Sequence, residues 1–413
     1  MANVLYLVHR LPFPPNKGDK VRSYHLLKHL AERHRVFLGT FIDDPDDEQH
    51  VDTLRSMCAE VFVARLNPRR ARVASLGGLL RREPLTLRYY RHAALAGWVG
   101  GVVASRNIDA TVVFSSSMAQ YAQTGADRPL LVDFVDVDSA KWAAYAGHHG
   151  WPLSWLYRRE GERLLACERA VAARATRSFF VTDKESELFR RLAPECARLV
   201  ETMSNGVDTS FFAPDAGRPT PFGADEIPLV FTGAMDYWPN VDAVIWFAAA
   251  VLPELRRRWP KLRLYIVGRS PTGAVMALAN EAVTVSGTVP DVRPYLQHAA
   301  VVVAPLRLAR GIQNKILEAM AMGRAVVAST ECVEALRAGL RDGLLAATGI
   351  DDYVREVDSL LASPERRERL GAAGRRCVQK RFTWEAHLRQ LDRHLEPEAL
   401  PSRVVGSSKA DRT

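Results

Sequence analysis

One stretch constrains this chain more than any other. The apolar run Ala300-Val301-Val302-Val303-Ala304 is followed by the polar loop Pro305 to Gln313, a run of helix formers to Gly323, and a second apolar run, Ala325-Val326-Val327-Ala328. Strand, glycine loop, helix, strand is the grammar of a doubly wound parallel sheet, and ligands of such sheets sit at the loop. A helix starting near Gly311 presents free N–H groups and a positive dipole end to a phosphate, while Arg307, Arg310 and Lys315 add full charges around it, with Asn314 in its first turn. Glu318 follows Asn314 by about one helical turn, which puts its carboxylate within reach of ribose hydroxyls. The stretch reads as a nucleotide-diphosphate site; taken locally, the same residues also suit a solvated helix face.

The rest of the chain fits this reading. At 413 residues and 47% hydrophobic content it is long enough for two buried cores. A formal net charge of +9 favours an anionic partner, yet 56 basic residues are opposed by 47 acidic ones, so nucleotide, lipid headgroup and nucleic acid all stay open. Cys58, Cys167, Cys196, Cys332 and Cys377 form no Cys-x-x-Cys pair and are expected to be free thiols in a reducing cytosol. Met1 leads straight into the strand-like Val4 to Val8, which argues against a signal peptide, and Ala243 to Leu252 is too short to span a bilayer. A cytoplasmic protein, at most peripheral to a membrane, is expected.

Strands are expected at Asn3–Val8, Val36–Phe41, Val61–Val63, Ala110–Phe114, Leu130–Phe134, Phe179–Val181 and Ala197–Glu201, alternating with helices in a parallel sheet. A short helix is expected near Met118 to Gln123. The turn Asn205-Gly206-Val207-Asp208 opens an aperiodic segment rich in Pro and Gly. It divides a domain at 1–204, through a linker at 205–226, from a second at 227–381; a helix at 382–395 and a polar, disordered tail at 396–413 follow. In the second domain a single helix is expected over Val241–Trp259.

Two basic stretches that carry aromatics, Arg69–Arg106 and Trp151–Arg177, suit either an anionic membrane surface or an ordinary solvated helix face. His25 and His29 stand four apart on a helix, but without a third ligand they read as a surface pair; His9 follows the first strand and carries more weight. Gly233, Gly268 and Gly287 each close a strand, as a site turn or as an ordinary one.

Five segments together carry a resemblance: Asn205-Gly206-Val207-Asp208; Phe231-Thr232-Gly233-Ala234-Met235 with Pro239-Asn240; Ile266-Val267-Gly268; Gly287-Thr288-Val289 with Asp291; and the Gly311 to Gly323 helix. In order and spacing they resemble group-1 (family 4) glycosyltransferases. In the first half, Phe13 to Asp19, Asp133 to Trp142 and Val181 to Glu185 look like the sugar transferase encoded with exosortase (PEP-CTERM) exopolysaccharide systems. The resemblance implies a GT-B fold, two Rossmann-like domains facing across a cleft. Nucleotide sugar, as UDP- or GDP-sugar, is implied on the C-terminal side and a glycan or lipid-linked acceptor on the N-terminal side. It further implies retention of configuration, no metal, no tightly bound cofactor, and a last helix, Trp384 to Leu395, crossing back to the first domain.

Two departures stand out. Where many relatives carry a first glutamate this chain has Arg310, and the Arg and Lys usual after the first strand of the second domain are absent from Gly233 to Asn240. Arg307, Arg310 and Lys315 are the expected replacements. Departure of a diphosphate builds negative charge on the leaving group, which placed cations and donors stabilise. Lys315 and Glu318 are the catalytic candidates there, and Gly18 and Asp19 approach the diphosphate from the other domain. Asp136-Val137-Asp138 looks like the Asp-x-Asp metal motif of a different glycosyltransferase fold; Asp136 is kept as a third catalytic candidate and a contact to acceptor or donor sugar, and Asp133 as structural. A sugar-nucleotide 2-epimerase of similar fold and a non-enzymatic binder of anionic polymer are the competing readings. Basic residues gathered in no nucleic-acid reading motif argue against a nucleic-acid partner.

Overall fold

The computed structural model describes residues 1–15, 18–122, 128–147, 149–307, 313–336 and 343–395. The chain forms two compact units, Met1–Met203 with the chain from Leu388 onward, and Ser204–His387.

The first unit is built on seven strands: β1 (Asn3–Val8), β2 (Arg35–Ile42), β3 (Glu60–Arg65), β4 (Ala110–Phe114), β5 (Leu130–Val135), β6 (Arg177–Phe180) and β7 (Val200–Thr202). Their order is β3-β2-β1-β4-β5-β6-β7 and every pairing is parallel. Val4 to Val8 are fully buried, as a strand covered on both faces requires. The order reverses beside β1, so the loops after β1 and β4 diverge there and leave a crevice at the strands' carboxyl ends.

The second unit repeats the plan with six strands: β8 (Ile227–Thr232), β9 (Leu262–Val267), β10 (Val283–Gly287), β11 (Val301–Ala304), β12 (Val326–Ser329) and β13 (Leu345–Ala347). The order is β10-β9-β8-β11-β12-β13, again all parallel, with the reversal between β8 and β11. Two Rossmann-like parallel sheets of this kind are the GT-B fold.

Several elements depart from expectation. Val241–Trp259 is not one helix: Trp238–Trp246 and Leu252–Arg258 are joined by a π-turn at Phe247–Val251. Pro253 has no N–H to donate and its ring crowds the preceding turn, which widens to make room. Arg69–Arg106 breaks into four helices, Pro68–Ser75, Gly77–Arg81, Leu85–Tyr89 and Ala93–Ser105. The breaks fall at Leu76, at Arg82–Pro84, where Arg82 is left-handed (φ 56°), and at Tyr90–His92. Trp151–Arg177 yields the helix Leu153–Arg174, with Arg177 already in β6. Ala197–Glu201 begins as a 3-10 turn at Pro194–Leu199 because Pro194 starts a helical turn well, and only Val200–Thr202 pairs as a strand. The helix near Met118 is a 3-10 segment at Ser116–Tyr121, and its expected end at Gln123 lies outside the described residues.

The helix Trp384–Leu395 buries Trp384, Leu388, Leu391 and Leu395 on one stripe. Its Asp392 receives a 2.8 Å contact from His29 Nε2, and His394 lies 3.2 Å from Glu201. His29 is therefore buried and paired, not half of a surface pair with His25. The helix Gly18–Ala31 also places two cations inside the first unit. Arg22 meets Asp133 through bonds of 2.7 and 3.0 Å, and Lys20 meets both oxygens of Asp47 at 2.6 Å. The side chains of Arg22 and Asp133 are each 1% exposed, so Asp133 is a structural carboxylate. Asp133→Ala leaves a guanidinium buried without its counter-charge; it is expected to lower the stability of the first unit by about 3–5 kcal/mol, read as an earlier unfolding transition in urea, whereas Asp43→Ala at the more open Arg10 pair shifts it far less.

Candidate functional site

The crevice beside β8 is made by backbone. Gly233, the residue after β8, has φ 156°, and a Cβ built on it would stand 2.8 Å from both Asn240 Nδ2 and Lys315 Nζ. Gly268, after β9, has φ 158°, and a Cβ there would fall 1.6 Å from the Gly233 carbonyl oxygen. No side chain fits between these two turns. Gly233 N–H donates to Val267 O at 3.0 Å and Gly268 N–H to Gly287 O at 3.2 Å, which fixes both against their neighbours.

Across the crevice stands the helix Asn314–Ala321, capped by Gln313. It begins three residues later than expected from Gly311; Arg310 and Gly311 lie outside the described residues. Ile316, Leu317 and Met320 anchor it in the core, leaving Asn314, Lys315 and Glu318 half-buried on its other side. Lys315 Nζ donates to Asn240 Oδ1 at 2.7 Å and lies 4.1 Å from the centre of the Phe231 ring. Asn240 Nδ2 in turn donates to Ala234 O at 2.8 Å. One buried amide thus ties the Gly233 turn to the Lys315 ammonium. Burial pulls Lys315 from its ordinary 10.5 down to about 7, with Cys332 and Glu318 partly opposing that fall. Burial pushes Glu318 from 4.5 up to about 7, moderated by Lys315 one turn away. Asn314 Oδ1 is buried without a hydrogen-bond partner among the described residues.

Arg307 takes a different direction. Its guanidinium is bound by both oxygens of Asp242 and lies 5.9 Å from the Trp246 ring. Asn240 and Phe231 were not singled out from the sequence as site residues. Pro239-Asn240 in the first turn of a helix looks like routine helix initiation, and only the fold turns that amide toward Lys315.

In the first unit, His9 and Arg10 after β1 meet Asp19 in the first turn of the helix Gly18–Ala31. Asp19 lies 2.8 Å from Arg10 Nη1 and 3.5 Å from His9 Nε2. Burial alone raises its pKa, but the bond to His9 and the charge of Arg10 outweigh that and hold the carboxyl well below the usual range. A Cβ on Gly18 would meet nothing within 4 Å, so the protein itself does not require glycine there. His9 stacks on Phe114 from β4 at 5.7 Å, which places this polar group at the reversal beside β1. Asp136 follows β5 after Val135, held at φ 69°. Lys141 Nζ lies 2.8 Å from Asp136 and 3.1 Å from Asp138, so an ammonium occupies the position that a cation would take in an Asp-x-Asp motif. Among the described residues no group of three or more His, Cys, Asp or Glu is placed to hold a metal ion.

Residues 226–363 match the family described as Glycosyl transferases group 1, and this segment carries β8 to β13 and the Lys315 helix. A curated relative, the GDP-mannose-dependent alpha-(1-6)-phosphatidylinositol monomannoside mannosyltransferase of Mycolicibacterium smegmatis, is 30% identical over 206 residues, or 45% of this chain and 53% of the relative. The chain thus matches about half the length of that relative. Among solved structures, sucrose-phosphate synthase from Thermosynechococcus elongatus superposes with a TM-score of 0.68 at 18% identity, over 95% of this chain and 98% of that one. HepE from Anabaena, solved with UDP and glucose, gives 0.64 at 16% identity, over 96% and 99%. WaaG, a glycosyltransferase involved in lipopolysaccharide biosynthesis, gives 0.61 at 17%, over 95% and 99%. Residues 226–363 of the second unit are thus similar to group 1 glycosyl transferases, and the whole chain has the GT-B fold these structures share.

Removing the amide that ties Lys315 to the turn is expected to matter as much as losing a charge-assisted hydrogen bond, worth about 1.5–3 kcal/mol. Asn240→Ala is therefore expected to weaken nucleoside-diphosphate binding by about tenfold or more, measured calorimetrically, while Asp242→Ala, which frees Arg307, does not weaken it.

Proposed function

We propose that this protein is a retaining glycosyltransferase that moves a sugar from a nucleotide-sugar donor to a glycan or lipid-linked acceptor in exopolysaccharide assembly, working at the inner face of a membrane. The observation that carries the reading is the Lys315 ammonium, held by Asn240 and Phe231 against a turn that no side chain can enter. Such a turn admits a diphosphate against its backbone, and a half-buried cation beside it stabilises the charge that grows there as the glycosidic bond breaks. Lys315 takes over the position of the absent Arg and Lys after β8, and Glu318 on the same face takes the ribose hydroxyls. The second unit binds donor, with Gly233 and Asn314 beside Lys315. In the first unit Gly18 and Asp19 are kept as contacts to the diphosphate, and Asp136 as a contact to acceptor or donor sugar. The mannosyltransferase relative favours a GDP-sugar and a lipid-linked acceptor, and the HepE complex favours UDP; the base is read from a calorimetric screen of UDP, GDP, ADP and dTDP.

Lys315→Ala and Glu318→Ala are expected to weaken binding of the preferred nucleotide sugar, and unchanged affinity removes both from the site. Consumption of donor without acceptor, with an epimerised sugar as product, marks a 2-epimerase instead. The pH dependence has a definite sign. Lys315 loses its positive charge and Glu318 gains a negative one as pH rises through about 7, and both changes repel a diphosphate. Affinity is expected to fall about tenfold or more between pH 6 and 8 relative to a Lys315→Met/Glu318→Gln variant, which removes this dependence.

A further inference from the structure

The short helix Asp138–Gly147 of the first unit carries a strip that the donor chemistry does not use. Lys141, Trp142 and Tyr145 follow Asp138 by three, four and seven residues, a spacing that puts all four on one face. Two contacts bear this out. Lys141 Nζ meets Asp138 at 3.1 Å, and the Trp142 and Tyr145 rings meet edge to face at 6.0 Å. Asp136, two residues before the helix, joins the same ammonium at 2.8 Å.

The neighbouring helix Leu153–Arg174 extends the aromatic end. Tyr157 lies 5.3 Å from Trp142 and 6.4 Å from Tyr145, with His149 edge-on to it at 5.1 Å. The helices come this close because Gly161, one turn after Tyr157, has no side chain; a Cβ there would stand 3.0 Å from Ser139 O. Buried Glu168 accepts from the Ser139 N–H at 3.2 Å and from its hydroxyl at 2.5 Å, and Glu185 accepts from the Val137 N–H at 2.7 Å. The strip is therefore held in place before any ligand arrives. Its rings nonetheless reach solvent: Tyr145 is 51% exposed, and Trp142 and Tyr157 are half-buried.

We infer that Asp136, Asp138, Lys141, Trp142, Tyr145 and Tyr157 form a binding strip for a neutral pyranose of the acceptor. A pyranose has an apolar C–H face and an edge of hydroxyls, and a strip with aromatic rings at one end and ionised groups at the other matches both. Carboxylate oxygens accept from the hydroxyls, and the ammonium donates to a hydroxyl oxygen. Charge decides against the other occupants. Two carboxylates around one ammonium leave the polar end negative, which repels a diphosphate or a lipid phosphate. Place agrees with chemistry, because Asp136 stands just past β5, at the carboxyl edge of the sheet where ligands of such folds bind. The inference rests on the transferase reading in calling the sugar an acceptor, and it narrows that acceptor to one that presents a saccharide.

Saturation-transfer NMR on the full chain without nucleotide tests this, with the methyl α-glycosides of glucose, mannose, galactose and N-acetylglucosamine as probes. At least one glycoside is expected to receive saturation, strongest on its ring C–H protons, and glycerol phosphate at equal concentration is expected not to displace it. Tyr145→Ser is expected to weaken this binding about threefold or more, and Asp138→Ala and Trp142→Leu about tenfold. None of the three residues belongs to the donor site, so calorimetric affinity for a nucleoside diphosphate stays at the wild-type value. Absence of saturation on all four glycosides, binding that Tyr145→Ser and Asp138→Ala leave unchanged, or displacement by glycerol phosphate overturns the inference. Should Trp142→Leu loosen the two helices, the other two variants decide. Glycoside binding without nucleotide affinity would keep the strip and remove the transferase reading; nucleotide affinity without glycoside binding would do the opposite.

Discussion

The carbonyl of Gly233 lies where a side chain on Gly268 would have to stand, and the chemistry of the second unit follows from that contact. Two strand ends that approach so closely form a turn lined by peptide groups alone. A turn of this kind is a poor place for a side chain and a good one for an anion that needs close backbone approach. Asn240 extends the constraint outward: its amide grips the turn through Ala234 and the Lys315 ammonium through its oxygen, so backbone and cation are positioned by one side chain.

Two buried cations show how the same charge serves opposite ends. Arg22 is closed off by the carboxylate of Asp133 and is silent chemically; its energetic consequence appears only when the partner is lost. Lys315 rests on a neutral amide and an aromatic face, with Glu318 one turn away and itself pushed toward neutrality. A cation so weakly compensated gains from an incoming anion what Arg22 already has from Asp133. That contrast separates a structural ion pair from the proposed binding group within one chain.

Much of this was legible along the chain. The parallel sheets follow from continuous apolar runs such as Val4–Val8 and Val301–Ala304, which only a strand covered on both faces accommodates. The placing of Lys315 and Glu318 on one face of a helix follows from their spacing of three. The errors have common causes. Helical periodicity continues smoothly through Phe247–Val251, but the strain of Pro253 is relieved there by a wider turn. His25 and His29 share a spacing, but Asp392, hundreds of residues away, claims one of them. Arg307 bears the charge a phosphate needs, yet Asp242 on a neighbouring helix reaches it first.

By itself, then, the order of residues determined which segments become strand and helix, that the strands run parallel, and which cations stand near a strand end, because periodicity, glycine and charge act over a few neighbouring positions. Tertiary structure alone decided which carboxylate or amide each cation meets: Asp133 for Arg22, Asp242 for Arg307, Asn240 for Lys315. Those pairings span distances along the chain that no local pattern encodes, and they are set only when the core of each unit packs its own strands and helices together.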